Sequence, residues 1–198
     1  MTDQIQIASP QPRARITGVV YLLYFLTAVF GQLMVSRGFA VSGNVANILS
    51  ALLYAAVTFL FYALFKPVSR SLSLVAALFS LAGCVVMSLG LIHIKSTISP
   101  LWFFGPFCLL IGYLILKSTF LPRVLGVLMA AAGAGWLGYL IPGLPHLLTV
   151  AIMVLGFVAE LTLCLWLLIM GVNVERWREQ AGTAKASIQQ EKICPGTA

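Results

Sequence analysis

Residues 147–170, LLTVAIMVLGFVAELTLCLWLLIM, form an apolar run that is interrupted by a single ionisable residue, Glu160. A helix needs about 20 apolar residues to cross about 30 Å of hydrocarbon, and this run is long enough. Five further runs contain no Asp, Glu, Lys or Arg; they are residues 16–35, 45–65, 72–92, 101–116 and 124–141. The pattern predicts an all-α membrane protein, a bundle of six transmembrane helices.

The composition supports the same class. Hydrophobic residues make up 61% of the 198 residues and charged residues 9%, whereas a soluble domain of this size needs far more charge on its surface. No connection between the runs is long enough for a second fold, so we expect one domain. We predict a disordered tail at residues 1–12, a six-helix transmembrane domain at 13–172 and a cytoplasmic tail, helical at its start, at 173–198.

Basic residues predict the orientation. Ten of the 12 Lys and Arg residues lie in the two tails and in the second and fourth connections, and only Arg37 and Lys95 lie on the other side. Short loops rich in Lys and Arg are retained in the cytoplasm, so we expect an inner-membrane protein with both termini cytoplasmic. The net charge of +7 is spread along one membrane face, and we expect lipids rather than nucleic acid as partners.

The fifth run carries small residues at four-residue spacing. Such a face lets helix backbones approach closely, so we predict that it forms a central packing surface. Its members are Gly126, Ala130, Ala134 and Gly138.

Glu160 is the leading candidate for a functional residue. It lies fourteen positions after His146, roughly 21 Å along a helix and therefore near the middle of the bilayer. No Lys or Arg occurs in any apolar run to pair with it, so we expect a protonated carboxyl group or one that faces water and hydroxyl groups inside the bundle.

Other polar residues at a similar depth complete the candidate site. Residues at the same fraction of their helix length, counted from the same membrane face, lie at the same depth. On this basis we predict Tyr24, Thr58 and Ser80 as hydrogen-bond partners of Glu160. Tyr54 lies one turn from Thr58 on the same polar stripe. Two interpretations stay open. The carboxyl group either binds a proton or a ligand, or it is a neutral group that specifies packing.

Enzymatic and metal chemistry have little support in the sequence. His93 and His146 fall at the ends of the third and sixth runs, and no cluster of His or carboxylates surrounds them. We find no phosphate-binding loop, nucleophile elbow or catalytic triad. We therefore expect no catalytic residues, no metal ligands and no cofactor.

Several short motifs occur along most of the chain. They are Arg15-Ile16-Thr17-Gly18, Lys66-Pro67-Val68, Gly112-Tyr113-Leu114-Ile115, Phe120-Leu121-Pro122-Arg123 and Glu160-Leu161 followed by Leu165-Trp166-Leu167-Leu168. In these motifs the chain resembles the bacterial membrane family called domain of unknown function 4386, over about residues 13–173. The resemblance implies a six-helix inner-membrane protein and implies no activity, substrate or cofactor.

Two classes of function remain. The first is a non-enzymatic bundle that binds a lipid, an apolar ligand or a membrane-protein partner, in an oligomeric state that the sequence leaves open. The second is a small proton-linked transporter or permeation protein that uses Glu160. A continuous polar cavity that reaches Glu160 from one face favours transport, and a closed bundle favours the first class.

Overall fold

The computed structural model describes residues 10–91 and 98–193. Within these ranges the chain is helical apart from its connecting turns and contains no β-strand, which confirms the predicted all-α class there. The helices in these ranges are α1 Pro10–Ser36, α2 Ala40–Phe65, α3 Arg70–Leu91, α4 Leu101–Lys117, α5 Arg123–Gly138, α6 His146–Ile169 and α7 Val174–Ile193.

Four helices in the described part of the chain are long and apolar enough to cross a membrane. They are α1, α2, α6 and the Arg70–Leu89 part of α3. Helices α4 and α5 are apolar but have 17 and 16 residues, which corresponds to roughly 25 Å each. These helices are typical of a membrane-embedded protein. That all six helices cross the membrane stays a prediction.

The first six helices form a ring. Each packs on its neighbours in the chain, and α6 returns to pack on α1. Consecutive helices are antiparallel because they contact each other across short connections. One end of the ring, here called the basic end, carries Arg13, Lys66 and Lys117, whereas Arg37 and Pro100 lie at the opposite end.

Helices α1 and α6 close the ring through a tight backbone contact. A Cβ atom on Gly18 would lie 2.5 Å from the backbone nitrogen of Leu168, so only glycine fits there. The thiol of Cys164 points at the carbonyl oxygen of Gly18, with the two atoms 3.5 Å apart. This contact fixes the two helices, far apart in the sequence, that carry the residues of the candidate site.

Helices α4 and α5 approach each other at two pairs of glycines. A Cβ atom on Gly112 would lie 2.7 Å from the carbonyl oxygen of Gly126, and a Cβ atom on Gly133 would lie 2.7 Å from that of Gly105. Ala130 also lies at this contact, because its backbone nitrogen would be 2.6 Å from a Cβ atom on Gly112. The two backbones therefore pack almost without intervening side chains.

This contact corrects the predicted packing face of α5. Ala134 is exposed, and the space beside Gly138 is open, so neither residue lies at the contact with α4. At 3.6 residues per turn, a step of four residues exceeds one full turn by about 40°, whereas a step of seven residues falls only about 20° short of two full turns. Gly126 is therefore aligned with Gly133, and a four-residue ladder moves away from the contact.

Helix α7 packs across the basic end. Its Trp177 is buried, and the indole Nε1 donates a hydrogen bond of 3.0 Å to the carbonyl oxygen of Leu64 at the end of α2. Gln180 donates to the carbonyl oxygen of Lys117, and the backbone nitrogen of Asn173 donates to that of Phe120. The start of the segment predicted as a tail is thus a docked helix.

The remaining differences concern the boundaries. Helix α1 begins at Pro10, inside the segment predicted as a disordered tail, and α5 ends at Gly138, before the predicted end at residue 141. His146 begins α6 at the opposite end. His93, Lys95 and Cys194 lie outside the described residues.

Candidate binding site in the bundle interior

Glu160 points into the bundle from α6. The hydroxyl group of Tyr21 on α1 donates a hydrogen bond to its Oε2 atom over 2.8 Å, and Tyr21 is completely buried. The thiol of Cys108 on α4 lies 4.0 Å from the other carboxyl oxygen, Oε1, at the limit of a weak hydrogen bond. One carboxyl oxygen is therefore held firmly, and the other keeps most of its capacity to accept hydrogen bonds.

The hydrogen-bond partner of Glu160 differs from the predicted set. Tyr24 and Tyr54 lie beside the carboxyl group but donate no hydrogen bond to it in the described structure. The reason is the start of α1 at Pro10. Glu160 lies at a certain fraction of the length of α6, measured from the basic end. With the observed helix bounds, the same fraction along α1 falls near Tyr21, one turn closer to the basic end than Tyr24.

Thr58 and Ser80 do not reach Glu160 either. Their hydroxyl oxygens lie 2.6 Å apart and share a hydrogen bond, and Thr58 also donates to the carbonyl oxygen of Tyr54. Both side chains are buried between α2 and α3. The predicted site thus divides into a polar tie between two helices, formed by Thr58 and Ser80, and a cluster around Glu160 that contains Tyr24 and Tyr54.

A cavity of about 300 Å³ lies next to this cluster. All six helices of the ring, together with the residue before α4, contribute to its wall, so it is a partly open cavity between the helices rather than a groove on one helix face. Its lining residues are Tyr24, Tyr54, Met87, Pro100, Leu101, Phe104, Trp136 and Glu160. The cavity thus extends from the carboxyl group towards the opposite end, where Pro100 and Leu101 lie.

Aromatic rings dominate the wall. The ring centroids of Tyr24 and Tyr54 lie 4.7 Å apart, and those of Tyr54 and Phe104 lie 5.4 Å apart in an edge-to-face arrangement. Trp136 faces them from α5 and packs closely on Gly156 of α6. Aromatic pairs in these arrangements stabilise each other by about 0.5–1.5 kcal/mol beyond their buried area.

Tightly packed aromatic side chains fill the bundle between the cavity and the basic end. The ring of Phe61 contacts those of Phe65 and Phe107, with centroids 6.0 and 6.5 Å apart, and Phe65 contacts Phe120 at 6.0 Å. These four residues are at most 3% exposed, and Trp177 of α7 lies beyond them. These buried rings therefore occupy the interior between Glu160 and the basic end.

The cluster offers hydrogen bonding and electrostatic attraction. In the part of the chain that the structure describes, no group of three His, Cys, Asp or Glu side chains is placed to hold a metal ion. Among the described residues, the carboxyl group accepts a firm hydrogen bond from the phenol of Tyr21 and lies 4.0 Å from the thiol of Cys108. Such an arrangement suits binding of a proton or of a ligand.

The structure defines a membrane-embedded helical bundle with a cavity between its helices. Residues 97–171 match the model of a family described as a domain of unknown function, DUF4386. The match covers α4, α5, α6 and the turn before α7, and it confirms over these residues the resemblance inferred from the sequence. Neither the curated proteins nor the solved structures gave a significant match.

Proposed function

We propose that this protein is a non-enzymatic membrane protein that binds a small, largely apolar ligand in the cavity beside Glu160. The observation that carries the proposal is the position of the cavity, which all six helices of the ring line and which ends at the carboxyl group. Its volume of about 300 Å³ lies at the lower end of the range for small-molecule sites, which are mostly apolar with a few polar groups.

Closure at one end supports binding rather than passage through the bundle. The aromatic residues around Phe61 and Phe65, with Trp177 beyond them, fill the space between the cavity and the basic end. We place the basic end in the cytoplasm of a cell with an inner membrane, with all six helices crossing, because ten of 12 basic residues lie at that end or in the tails. The ligand then enters from the other leaflet or from the outer face.

A neutral apolar probe tests this proposal. Neopentylbenzene, added to the full chain in nanodiscs, is expected to raise its melting temperature in a saturable manner. Met87→Trp fills part of the cavity and is expected to abolish this shift, whereas Leu74→Trp, on the exposed face of the same helix, should keep it. A shift that survives Met87→Trp, or no shift in the unaltered protein, would contradict binding in the cavity.

Proton-linked transport is the second candidate, and the observation that favours it is Glu160 itself. An acidic group at membrane depth is costly and is often part of a proton pathway. Transport requires the packed aromatic residues around Phe61 to separate during each cycle. Proton flux into proteoliposomes that is lost in Glu160→Gln but kept in Ser80→Ala would support transport, and equal flux with and without the protein would exclude it.

A further inference from the structure

We infer that the ligand is a small organic cation, an amine or quaternary ammonium group on an apolar body, with its charged centre beside Glu160. The inference rests on the proposed binding function and names the chemical class of the ligand. Three features of the site support it: the isolated acidic group, the aromatic wall and the small number of oxygen ligands.

The charge of the site is the first feature. Glu160 is the only acidic residue within the six apolar runs, and no Lys or Arg lies within them. Its firm hydrogen bond comes from a neutral phenol, that of Tyr21, and no ion pair to Glu160 occurs in the described ranges. Without a counter-charge at this depth the carboxyl group favours its neutral form, and a cationic ligand stabilises the ionised form by supplying that charge. An anionic ligand would be repelled.

The aromatic wall is the second feature. Tyr24, Tyr54, Phe104 and Trp136 line the cavity from four different helices, so aromatic side chains make up half of the eight residues around the space beside the carboxyl group. Ring faces attract ammonium ions, and cages of this kind recognise quaternary ammonium groups in water-poor sites. A wall built only for a neutral apolar ligand would need no acidic group at its end.

The third feature separates organic from inorganic cations. Calcium takes six to eight oxygen ligands and magnesium needs an octahedral set. Among the described residues, the side chains of the cavity wall offer one carboxyl group and the hydroxyl groups of Tyr24 and Tyr54, and the other side chains are hydrocarbon, indole or thioether. A cation whose charge is spread over alkyl groups needs fewer ligands, and its alkyl surface fits beside Met87 and Phe104.

Two probes of equal shape test the inference. Benzyltrimethylammonium has a positively charged nitrogen where neopentylbenzene has a neutral carbon. The difference between their affinities for the full chain therefore reports the effect of the charge. Isothermal titration calorimetry in nanodiscs is expected to show that the cation binds at least about tenfold tighter than the neutral probe. Glu160→Gln should remove that preference and leave the affinity for neopentylbenzene unchanged within about twofold.

Two further variants keep the test decisive. Phe104→Leu removes one ring of the wall and should weaken the cation by about tenfold while the neutral probe binds as before. Ser80→Ala breaks a buried hydrogen bond outside the cavity and should leave both affinities unchanged. These two variants apply even if Glu160→Gln fails to fold.

The outcomes test the cationic nature of the ligand separately from the proposed binding function. Equal or tighter binding of neopentylbenzene overturns the cationic ligand and leaves the proposed function intact. A preference for the cation that survives both Glu160→Gln and Phe104→Leu also overturns the inference, because the charge is then recognised elsewhere. Binding of neither probe overturns the inference and the proposed function together.

Discussion

The hydroxyl group of Tyr21 donates to the Oε2 atom of Glu160 over 2.8 Å, between two residues that lie 139 positions apart in the sequence. This bond links the first and sixth helices at the point where the cavity ends. It also orients the carboxyl group, so that Oε1 is the oxygen left with spare acceptor capacity. The bond therefore contributes both to the closure of the ring and to the geometry of the candidate site.

Tyr21→Phe removes this hydrogen bond and little else. Because hydrogen bonds inside membrane proteins contribute about 0.6 kcal/mol on average, we expect the free energy of unfolding to fall by about 0.5–1.5 kcal/mol. Unfolding in mixed micelles measures this change. Tyr62→Phe is the control, since Tyr62 is a half-buried tyrosine near the basic end and remote from Glu160. Equal stability of the two variants would show that the bond contributes nothing.

Gly112→Ala is expected to destabilise the bundle. The added methyl group would lie 2.6 Å from the backbone nitrogen of Ala130, and the two helices must separate to accommodate it. Overpacking of this kind costs about 1–3 kcal/mol. Thermal unfolding of the full chain in detergent measures the effect.

Gly138→Ala is the matched control for that experiment, because nothing lies within 4 Å of a Cβ atom at Gly138. Ala134→Leu should also be tolerated, since Ala134 is exposed. A greater loss of stability in Ala134→Leu than in Gly112→Ala would contradict the packing described for α4 and α5.

Trp177→Ala is expected to release α7 from the bundle. Trp177 is 4% exposed and bonded to the end of α2, and loss of a large buried aromatic side chain costs about 3 kcal/mol or more. Limited trypsin digestion should then cleave the exposed helix at Arg176 or Arg178 at least about tenfold faster. Glu179→Ala, on the exposed side of α7, serves as the control and should be cleaved at the original rate.

Cysteine labelling tests the orientation. In a background with Cys194→Ser, a membrane-impermeant maleimide added to intact cells should label Arg37→Cys and spare Lys66→Cys until the membrane is opened. Both positions are exposed at opposite ends of the ring, so access depends only on the side of the membrane. The reverse pattern would place the basic end outside, and labelling at both positions would exclude a ring that crosses the bilayer.

The sequence predicted the helical elements well because apolar runs directly reflect burial in lipid or protein. It located Glu160, Tyr24 and Tyr54 near one another because each lies on a polar stripe of a helix, and such stripes face inward. It missed Tyr21 as the bonded partner because the start of α1 at Pro10 has no apolar signal. An error of one helical turn in the depth assigned on α1 was enough to predict Tyr24 instead of Tyr21 as the partner of Glu160.

Other features depend on geometry that a linear pattern does not contain. Ala134 and Gly133 are both small residues, and only the crossing of α4 and α5 decides which of them lies at the contact. The docking of α7 depends on Trp177. This residue lies in a segment whose polar composition predicts an exposed helix. A single tryptophan in such a polar segment is the sequence signal that could have indicated a docked helix.

An experimental structure of the full chain in lipid nanodiscs would show directly whether an open site lies beside Glu160. We expect the hydrogen bond between Tyr21 and Glu160, separated side chains of Tyr24, Met87 and Trp136, and non-protein density in the space between them. Side chains of these residues in mutual contact, with no space beside the carboxyl group, would contradict this expectation.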